Sequence, residues 1–444
     1  MRSTVISLPN PRFFPGLPVG WREERLNDVA ELQTSNVDKK SEEGETPVKL
    51  CNYVDVYYND CITSKIEFMD ATATVLQIER FSLRVGDVVF TKDSESPSDI
   101  GIPALVSETI PGLVCGYHLA ILRPNKKFIC GSYLFYALVS DRSAYQFYLA
   151  ANGVTRFGLT LNGTKNVRIA FPPVSEQEKL AAFLDAKTSQ IDALIAKKQE
   201  LLDKLKEKRL AVITQAVTKG LNPKAPMRDS GISWLGDVPS HWGVKPVKFL
   251  TKIVRGQFSH RPRNDPAFYD GEYPFVQTGD IARAGKYVTA YSQTLNERGL
   301  SVSRQFPSGT LVMTIAANIG DMAIIDFPAC FPDSIVGFIP ESDVDLDFLY
   351  FMFIAMKQRL MMTAVLNTQL NLNIDRIASI DTVAPPYDEQ KKIVSLLDQE
   401  IERSDCLMSK AESAITRLTE YRSALITAAT TGKIDVRGLR CASM

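Results

Sequence analysis

The sequence predicts an α+β chain: two tandem mixed α/β domains separated by two long helices that pair as an antiparallel coiled coil, the whole pseudo-two-fold symmetric. Three observations carry the prediction. Residues 172–185, PPVSEQEKLAAFLD, return at 385–398 as PPYDEQKKIVSLLD, an offset of 213 in a chain of 444 residues. A period this long is too large for a solenoid and points to duplication of a whole domain together with the helix after it. Each motif opens a run with apolar heptad spacing, and the sequence ahead of each motif is strand-rich and cut by glycine and proline turns. These divisions give an N-terminal arm 1–19, a first domain 20–174, a first helix 175–219, a connector 220–240, a second domain 241–386, a second helix 387–432 and a tail 433–444.

Further landmarks extend the repeat. Pro18 and Trp21 correspond to Pro239 and Trp242 at an offset of 221, GDVVFT from Gly86 to GTLVMT from Gly309 at 223, and Leu159-Thr160-Leu161 to Leu372-Asn373-Ile374 at 213. The offset drifts within the domains and is fixed through the helices, which is the pattern of variable loops on a constant scaffold. Within the domains, Thr72–Ile78, Gly86–Thr91, Val114–Leu122, Gly309–Ile315 and Ala323–Asp326 read as strands, and Tyr133–Leu149 and Phe348–Val365 as apolar core helices. In the turn-rich connector, Trp234 is the expected docking anchor.

The first long helix is expected to open with Ser175 and Glu178 as a capping box behind Pro172-Pro173 and to end before Gly220. Its heptad seam runs through Leu184, Ile191, Ile195, Leu202, Leu205 and Val212, and the same count in the second helix gives Leu397, Ile401, Met408, Ile415, Leu418 and Leu425. Arg209, which interrupts the first seam, recurs as Arg422. Apolar seams need partners, and the equivalent partner is the other copy. At 1.5 Å per residue each helix spans about 65 Å, so an antiparallel pair acts as a spacer.

Composition narrows the class. Hydrophobic residues make up 45% and charged residues 23%, as expected of a globular chain, and no segment has signal-peptide or membrane-spanning character, so a cytoplasmic location without membrane partners is expected. Seven cysteines without CxxC pairing and three histidines argue for reduced, structural thiols and no metal site. Lys+Arg and Asp+Glu both number 51, which gives no overall basic signature for nucleic acid. The local distribution differs: Lys245–Arg263 carries six cations and no anion. It reads either as a solvated loop or as a phosphate-contacting loop whose Arg and Gln side chains reach base edges.

Catalytic motifs are missing. There is no phosphate-binding GxxxxGK loop, no GxGxxG after a strand and no GxSxG elbow, and His118, in the apolar CGYHLAIL, reads as a satisfied core histidine. Ala384-Pro385-Pro386-Tyr387 resembles the Asn/Asp-Pro-Pro-Tyr motif of amino-methyltransferases, but Ala384 lacks the acceptor oxygen that the motif supplies to the target amino group. It reads instead as a strand-to-helix junction.

Over nearly its whole length the chain resembles the specificity subunit of type I restriction-modification systems. The resemblance is carried by PPVSEQEKL and PPYDEQKKI, the paired AVITQAVTKG and ALITAATTGK, SGISWLGDVPSHW, YPFVQTGDI and NIGD, with TKDSESPSDIG and CGYHLAILRP in the first half. It implies two target-recognition domains, each reading one half of a split double-stranded DNA site, on conserved helices that dock two methylation subunits, with restriction subunits joining the full complex. It also implies a non-catalytic chain without its own cofactor. Adenine-N6 methylation with S-adenosylmethionine, and ATP- and Mg-dependent translocation and cleavage, would belong to the partners. Residue type and loop position then nominate DNA-binding residues: Lys39, Lys40, Lys92, Ser94, Ser96, Thr155 and Arg156 in the first domain. In the second they nominate Arg255, Gln257, Ser259, His260, Arg261 and Arg263, with Asn318, Thr368 and Gln369. The alternatives are a non-enzymatic coiled-coil scaffold with two protein-interaction modules, and a fused methyltransferase with an unrecognised site.

Overall fold

The computed structural model describes residues 13–316, 319–362, 365–366 and 370–435. The chain forms two compact units, one of Met1–Gln199 with Ser413–Met444 and one of Glu200–Glu412. The boundaries fall inside the two long helices, Val174–Lys219 and Tyr387–Thr430, so each unit holds one domain, the near end of its own following helix and the far end of the other helix.

In the first unit a five-stranded sheet runs in the order Ala30–Thr34, Leu119–Pro124, Val88–Thr91, Pro103–Val106, Cys61–Ile62. A second sheet sets Thr46–Cys51 between Met69–Ala73 and Leu113–Cys115. The expected strand Thr72–Ile78 is half helix: it ends at Ala73, and Thr74 with Gln77 forms a capping box that opens helix Val75–Phe81. The expected single helix Tyr133–Leu149 is two, Gly131–Val139 and Asp141–Ala150, because Ser140 leaves the helical conformation and its Oγ caps the second. Val114–Leu122 likewise divides into two strands at Gly116–His118.

The second unit has a four-stranded sheet ordered Thr251–Arg255, Ile335–Pro340, Thr310–Thr314, Met322–Ile325, and a smaller sheet built on Tyr269–Phe275. Helix Leu346–Met362 packs its aromatic face, Phe348, Phe351 and Phe353, into the core with Phe338. Each such buried side chain contributes roughly 1.5–3 kcal/mol. The helix stops short of the expected Val365, which lies in a strand paired through Leu366 with Leu370. Trp234 docks as a partly buried neighbour of this core, its Nε1 donating to Asp381 O at 3.1 Å.

The same joinery appears in both units. A two-stranded ribbon closes each domain, Arg22–Arg25 on Arg168–Phe171 in one and Gly243–Pro246 on Asp381–Ala384 in the other. Each long helix starts directly after the second proline, so Ser175 lies in the first turn and the expected capping box is not what holds the helix start. The glutamine of the repeated Glu-Gln does that. Gln177, fully buried, accepts from Cys130 N at 2.9 Å and donates to Phe128 O and Pro172 O, both at 2.8 Å. Gln390 accepts from Asp345 N at 2.8 Å and donates to Asp343 O at 3.0 Å and Pro385 O at 2.9 Å. The far helix end is also fixed in the same way twice. Gly220, at φ +73°, lies against Trp242, and Gly432, at φ +74°, against Pro18 and Trp21.

Within each unit the helix segments run antiparallel. Asp192 meets Arg422 at 2.9 Å in one unit and Arg209 meets Asp405 in the other; the residue numbers of both pairs add to 614. A shift of 213 carries Asp192 to Asp405 and Arg209 to Arg422, so the two ion pairs are copies of one another. On the seam, Leu184, Ile191, Leu202, Leu397 and Leu425 are buried, and Ile195, Leu205, Val212, Ile401, Met408, Ile415 and Leu418 are half-buried. Leu194, Leu201, Leu210, Leu396 and Leu407, off the seam, are exposed.

Candidate nucleic-acid interface

In the first domain a small sheet gathers residues far apart in sequence. The hairpin Ala151–Gly153 and Phe157–Leu159 adds to Asp93–Ser94, with Phe157 opposite Ser94 and Gly158 opposite Asp93. Thr155 and Arg156, both exposed, form its tip beside the loop that carries Lys92, Ser94 and Ser96. Lys92 Nζ donates to Ser35 O at 3.3 Å and lies 4.5 Å from the Tyr117 ring. Ser94 is buried; its Oγ accepts from Ser96 N at 3.2 Å, and Ser96 Oγ is 2.8 Å from Ser98 Oγ. Lys39 and Lys40 stand exposed on the loop after Val37.

His118 belongs to this surface and not to the core. It is half-buried, its Nδ1 is 2.9 Å from Asp93 Oδ2, and Arg156 Nη2 approaches the same nitrogen at 3.2 Å. The apolar letters on either side of His118 belong to strands, and the histidine sits in the turn between them. Tyr53 and Tyr57 stack at 5.3 Å beside the loop, and Tyr57 Oη donates to Asp99 Oδ2 at 2.7 Å, a bond that pushes the phenol up to about 12. The result is a patch of cations, hydroxyls and aromatic faces, the groups that contact phosphates and base edges.

In the second domain the cationic run is loop only beyond Arg255, since Lys245 and Lys252 lie in strands and Lys248 in a 3-10 turn. The loop converges on Asp333. Arg263 pairs with that carboxylate, Arg261 Nη2 approaches it at 3.7 Å, and Arg255 Nε donates to Asp333 O at 2.7 Å. Arg304 joins them, donating to Arg255 O at 3.2 Å and to Gln257 Oε1 at 3.3 Å. Two guanidinium groups on one carboxylate, with Arg255 and Arg304 beside them, leave a local cation excess that the neutral total conceals. His260 and Ser259 are taken up in building the loop: His260 stacks on Phe268 at 3.9 Å and meets Asp265 at 3.1 Å, while Ser259 Oγ donates to Val302 O at 3.2 Å.

Next to the arginines, a cavity of about 370 Å³ is lined by Arg263, Asn264, Tyr269, Gln277, Thr278, Gln293 and Ser334 over a floor of Phe258 and Phe275. Gln277 Nε2 donates to Gln293 Oε1 at 3.0 Å, so the exposed Gln293 is held against Gln277 at the cavity. Arg304, Asn264 and Gln293 carry no motif, and Gln277 lies in YPFVQTGDI without being nominated as a DNA contact. They are found only because the bridge between Phe258 and Ser303 and the sheet around Tyr269–Phe275 bring distant segments together. Asn318, Thr368 and Gln369 lie outside the described residues.

Among the described residues no group of three His, Cys, Asp or Glu side chains could hold a metal ion, and no helix is long and apolar enough to cross a membrane. Ala384 ends a strand and Tyr387 begins the second long helix, so the Pro-Pro pair is a junction.

Two domains, each followed by the same long helix with the same joint, define a tandem-repeat protein. The sequence profile of the type I restriction modification DNA specificity domain matches residues 18–204 and again 239–417, and the chain belongs to that family, with one target-recognition domain in each copy. A chain assigned as the specificity subunit of the MjaX type I restriction enzyme of Methanocaldococcus jannaschii is 23% identical over 427 residues, covering 95% of both chains. The EcoKI specificity subunit of Escherichia coli is 23% identical over 454 residues, covering 95% of this chain and 90% of that one. Among solved structures, a chain from a study of the assembly and conformational transition of the type I R-M system superposes with a TM-score of 0.74 at 17% identity, covering 94% of this chain and 99% of its own. The HsdS subunit of Thermoanaerobacter tengcongensis gives 0.51 at 18% identity, covering 94% and 98%. The family match does not favour the protein-interaction scaffold.

Proposed function

We propose that this chain is the DNA-reading subunit of a type I restriction-modification complex, in which each domain reads one half of a bipartite, asymmetric double-stranded site. The observation that carries the reading is the contrast between duplicated joinery and unlike surfaces: one frame, used twice, presents a Lys92–His118–Arg156 patch in one copy and the Arg255–Arg263 loop, with Arg304 beside it and the Gln277–Gln293 pair, in the other. Arginines make bidentate contacts to guanine or to phosphate, and glutamine amides match adenine. The chain performs no chemistry. It holds two methylation subunits, which transfer a methyl group from S-adenosylmethionine to adenine N6, and restriction subunits that use ATP and magnesium; the complex works in the cytoplasm. With the partners supplying much of the phosphate attraction, a reader needs no net positive charge.

The test is single-molecule methylome sequencing of the host with and without this gene. Loss of N6-methyladenine at one bipartite motif is the expected result and reveals both half-sites. An unchanged methylome, with the partner genes expressed, refutes the reading.

A further inference from the structure

The long helices present the same carboxylate to both recognition domains, and the domains answer it with different donors. Asp185 and Asp398 occupy matching positions in the repeated motif, 213 residues apart. In the first unit Tyr136 Oη, from helix Gly131–Val139, donates to Asp185 Oδ1 at 2.7 Å and lies 3.2 Å from Thr188 Oγ1. In the second unit Lys286, in the loop after helix Thr278–Arg283, places Nζ 2.8 Å from Asp398 Oδ1 and 2.9 Å from Asp347 Oδ1, and 4.8 Å from the Phe351 ring. Tyr136 comes from a core helix and Lys286 from a loop, so the two donors are not copies of each other.

A contact whose constant half lies on the frame, and whose other half differs between the domains, has the form of a socket. Its physical role follows from direction. Apolar contacts between a domain and its helix pair are non-directional and tolerate small rotations, whereas a charge-assisted bond of this length fixes both distance and angle. The buried Gln177 and Gln390 hold each domain at the first turn of its helix, and the carboxylate, eight residues further along, adds a fixed point against rotation about the first, beside Asp60–Arg422 in one unit and Trp242–Glu389 in the other. The arrangement at Lys286 ties three elements together, because its ammonium bridges Asp347 of the domain and Asp398 of the helix.

We propose that Asp185 and Asp398 are positioning residues, sockets that fix the angle at which each recognition domain sits on its helix pair and thereby the gap between half-sites that both domains can engage together. The inference rests on the bipartite reading given above. Its test uses the full-length chain assembled with its methylation subunits and a set of DNA targets with both half-sites constant and the gap varied by one base pair either way. D398N and K286M are expected to raise methylation at the off-length gaps relative to the native gap by about two- to fivefold, the ratio that loss of a partly solvent-screened ion pair allows. The half-site sequences stay unchanged, and the charge-swapped K286D/D398K restores the native preference. An unchanged gap preference, or an equal fall at every gap, overturns the proposal.

A second measurement needs no DNA. Spin labels at the exposed Cys406 and at Ser301→Cys, with Cys61 and Cys441 replaced by serine, report the distance between the second long helix and the second domain. A distribution that broadens in D398N and K286M and narrows again in the swapped pair supports the socket; equal widths throughout overturn it. If the wild-type complex methylates without needing two half-sites, the bipartite reading fails, and the spin-label widths still decide whether the carboxylate positions the domain.

Discussion

Replacing Gln390 by methionine keeps the volume and removes every polar contact of a side chain that joins helix to domain, so its cost can be worked out from the structure. Gln390 is 3% exposed and makes three hydrogen bonds, to Asp345 N, Asp343 O and Pro385 O. A buried group left without a partner costs about 1–3 kcal/mol. The Pro385 carbonyl is fully buried in this contact and bears the whole penalty, while the groups of Asp343 and Asp345 are partly buried and recover some of theirs from water. The sum is about 2–4 kcal/mol, and at 1.4 kcal/mol per factor of ten the local opening equilibrium shifts by roughly thirtyfold to several hundredfold. Amide hydrogen exchange reads this directly, because the Asp345 N–H is bonded to the glutamine itself and Asp345 Oδ1 caps the next helix at Asp347 N and Phe348 N. The expected result is fast exchange at Asp345–Leu349 in Gln390→Met and, independently, at Cys130 and Leu134 in Gln177→Met. A change below about threefold at both sites would refute the reasoning, since it would mean that water satisfies these groups as well as the glutamine does.

Four further outcomes are expected. Gly432→Ala and Gly220→Ala both force a side chain into the left-handed region at about 1–2 kcal/mol; Gly432 should lower the thermal midpoint more, because its Cβ would lie 2.5 Å from Pro18 Cδ, against 3.1 Å from Trp242 Cζ2 for Gly220. Burial pushes the Glu389 carboxyl up, but hydrogen bonds from Trp242 Nε1 and His241 outweigh it and hold the group below its usual 4.5. Its contribution to stability is therefore complete above pH 4.5 and is lost as pH falls through the lower folded value, so Glu389→Gln should flatten the urea midpoint between about pH 5 and pH 3. Arg304→Ala should weaken binding on all sequences and reduce the salt slope by about 0.9, while Gln293→Ala should relax one base position by about 1–3 kcal/mol in competition assays. One heptad added to each long helix lengthens the pair by about 10 Å, and methylome sequencing should show a gap longer by about three base pairs with both half-sites unchanged.

What could be read from the sequence follows from how local the determinants are. Heptad spacing shows every three or four residues, so the seam from Leu184 to Val212 and its copy from Leu397 to Leu425 were visible, and the seam residues lie buried or half-buried. Breaks set by a single side chain were missed. Ser140 divides an apolar run because its hydroxyl competes for backbone amides, and Thr74 with Gln77 turns a strand-like stretch into a helix start. The misplacement of His118 has a similar cause: its neighbours are apolar because strands flank it, yet the turn that joins those strands faces the Asp93 loop. In the candidate interface, the grouping of Lys92, Ser94 and Ser96 with Thr155 and Arg156 depends on the pairing of Asp93–Ser94 with Phe157–Gly158, across more than sixty residues. Arg304 and Gln293 reach the second surface through contacts of the same non-local kind. No periodicity encodes such pairings.

The division between constant and variable parts also explains how a reader can change its surface without losing its assembly. Much of what joins a unit to the helices is backbone or sits on the helices: the prolines and glutamines at their start, the glycine at their end, the Arg–Asp pair across them, and the carboxylates Asp185 and Asp398, with domain side chains such as Trp242 on Glu389 and Asp60 on Arg422 adding to it. Gln177 and Gln390 bond backbone groups only, at Phe128, Cys130 and Pro172 in one domain and at Asp343, Asp345 and Pro385 in the other, so no side-chain identity in the domain is required for the joint. The carboxylates accept from a phenol in one copy and from an ammonium in the other, which asks of the domain only a donor within reach. Substitutions in the loops around Arg156 or Arg261 therefore leave the joinery untouched. Substitutions at Gln177 or Gln390 act on every surface that the frame could carry.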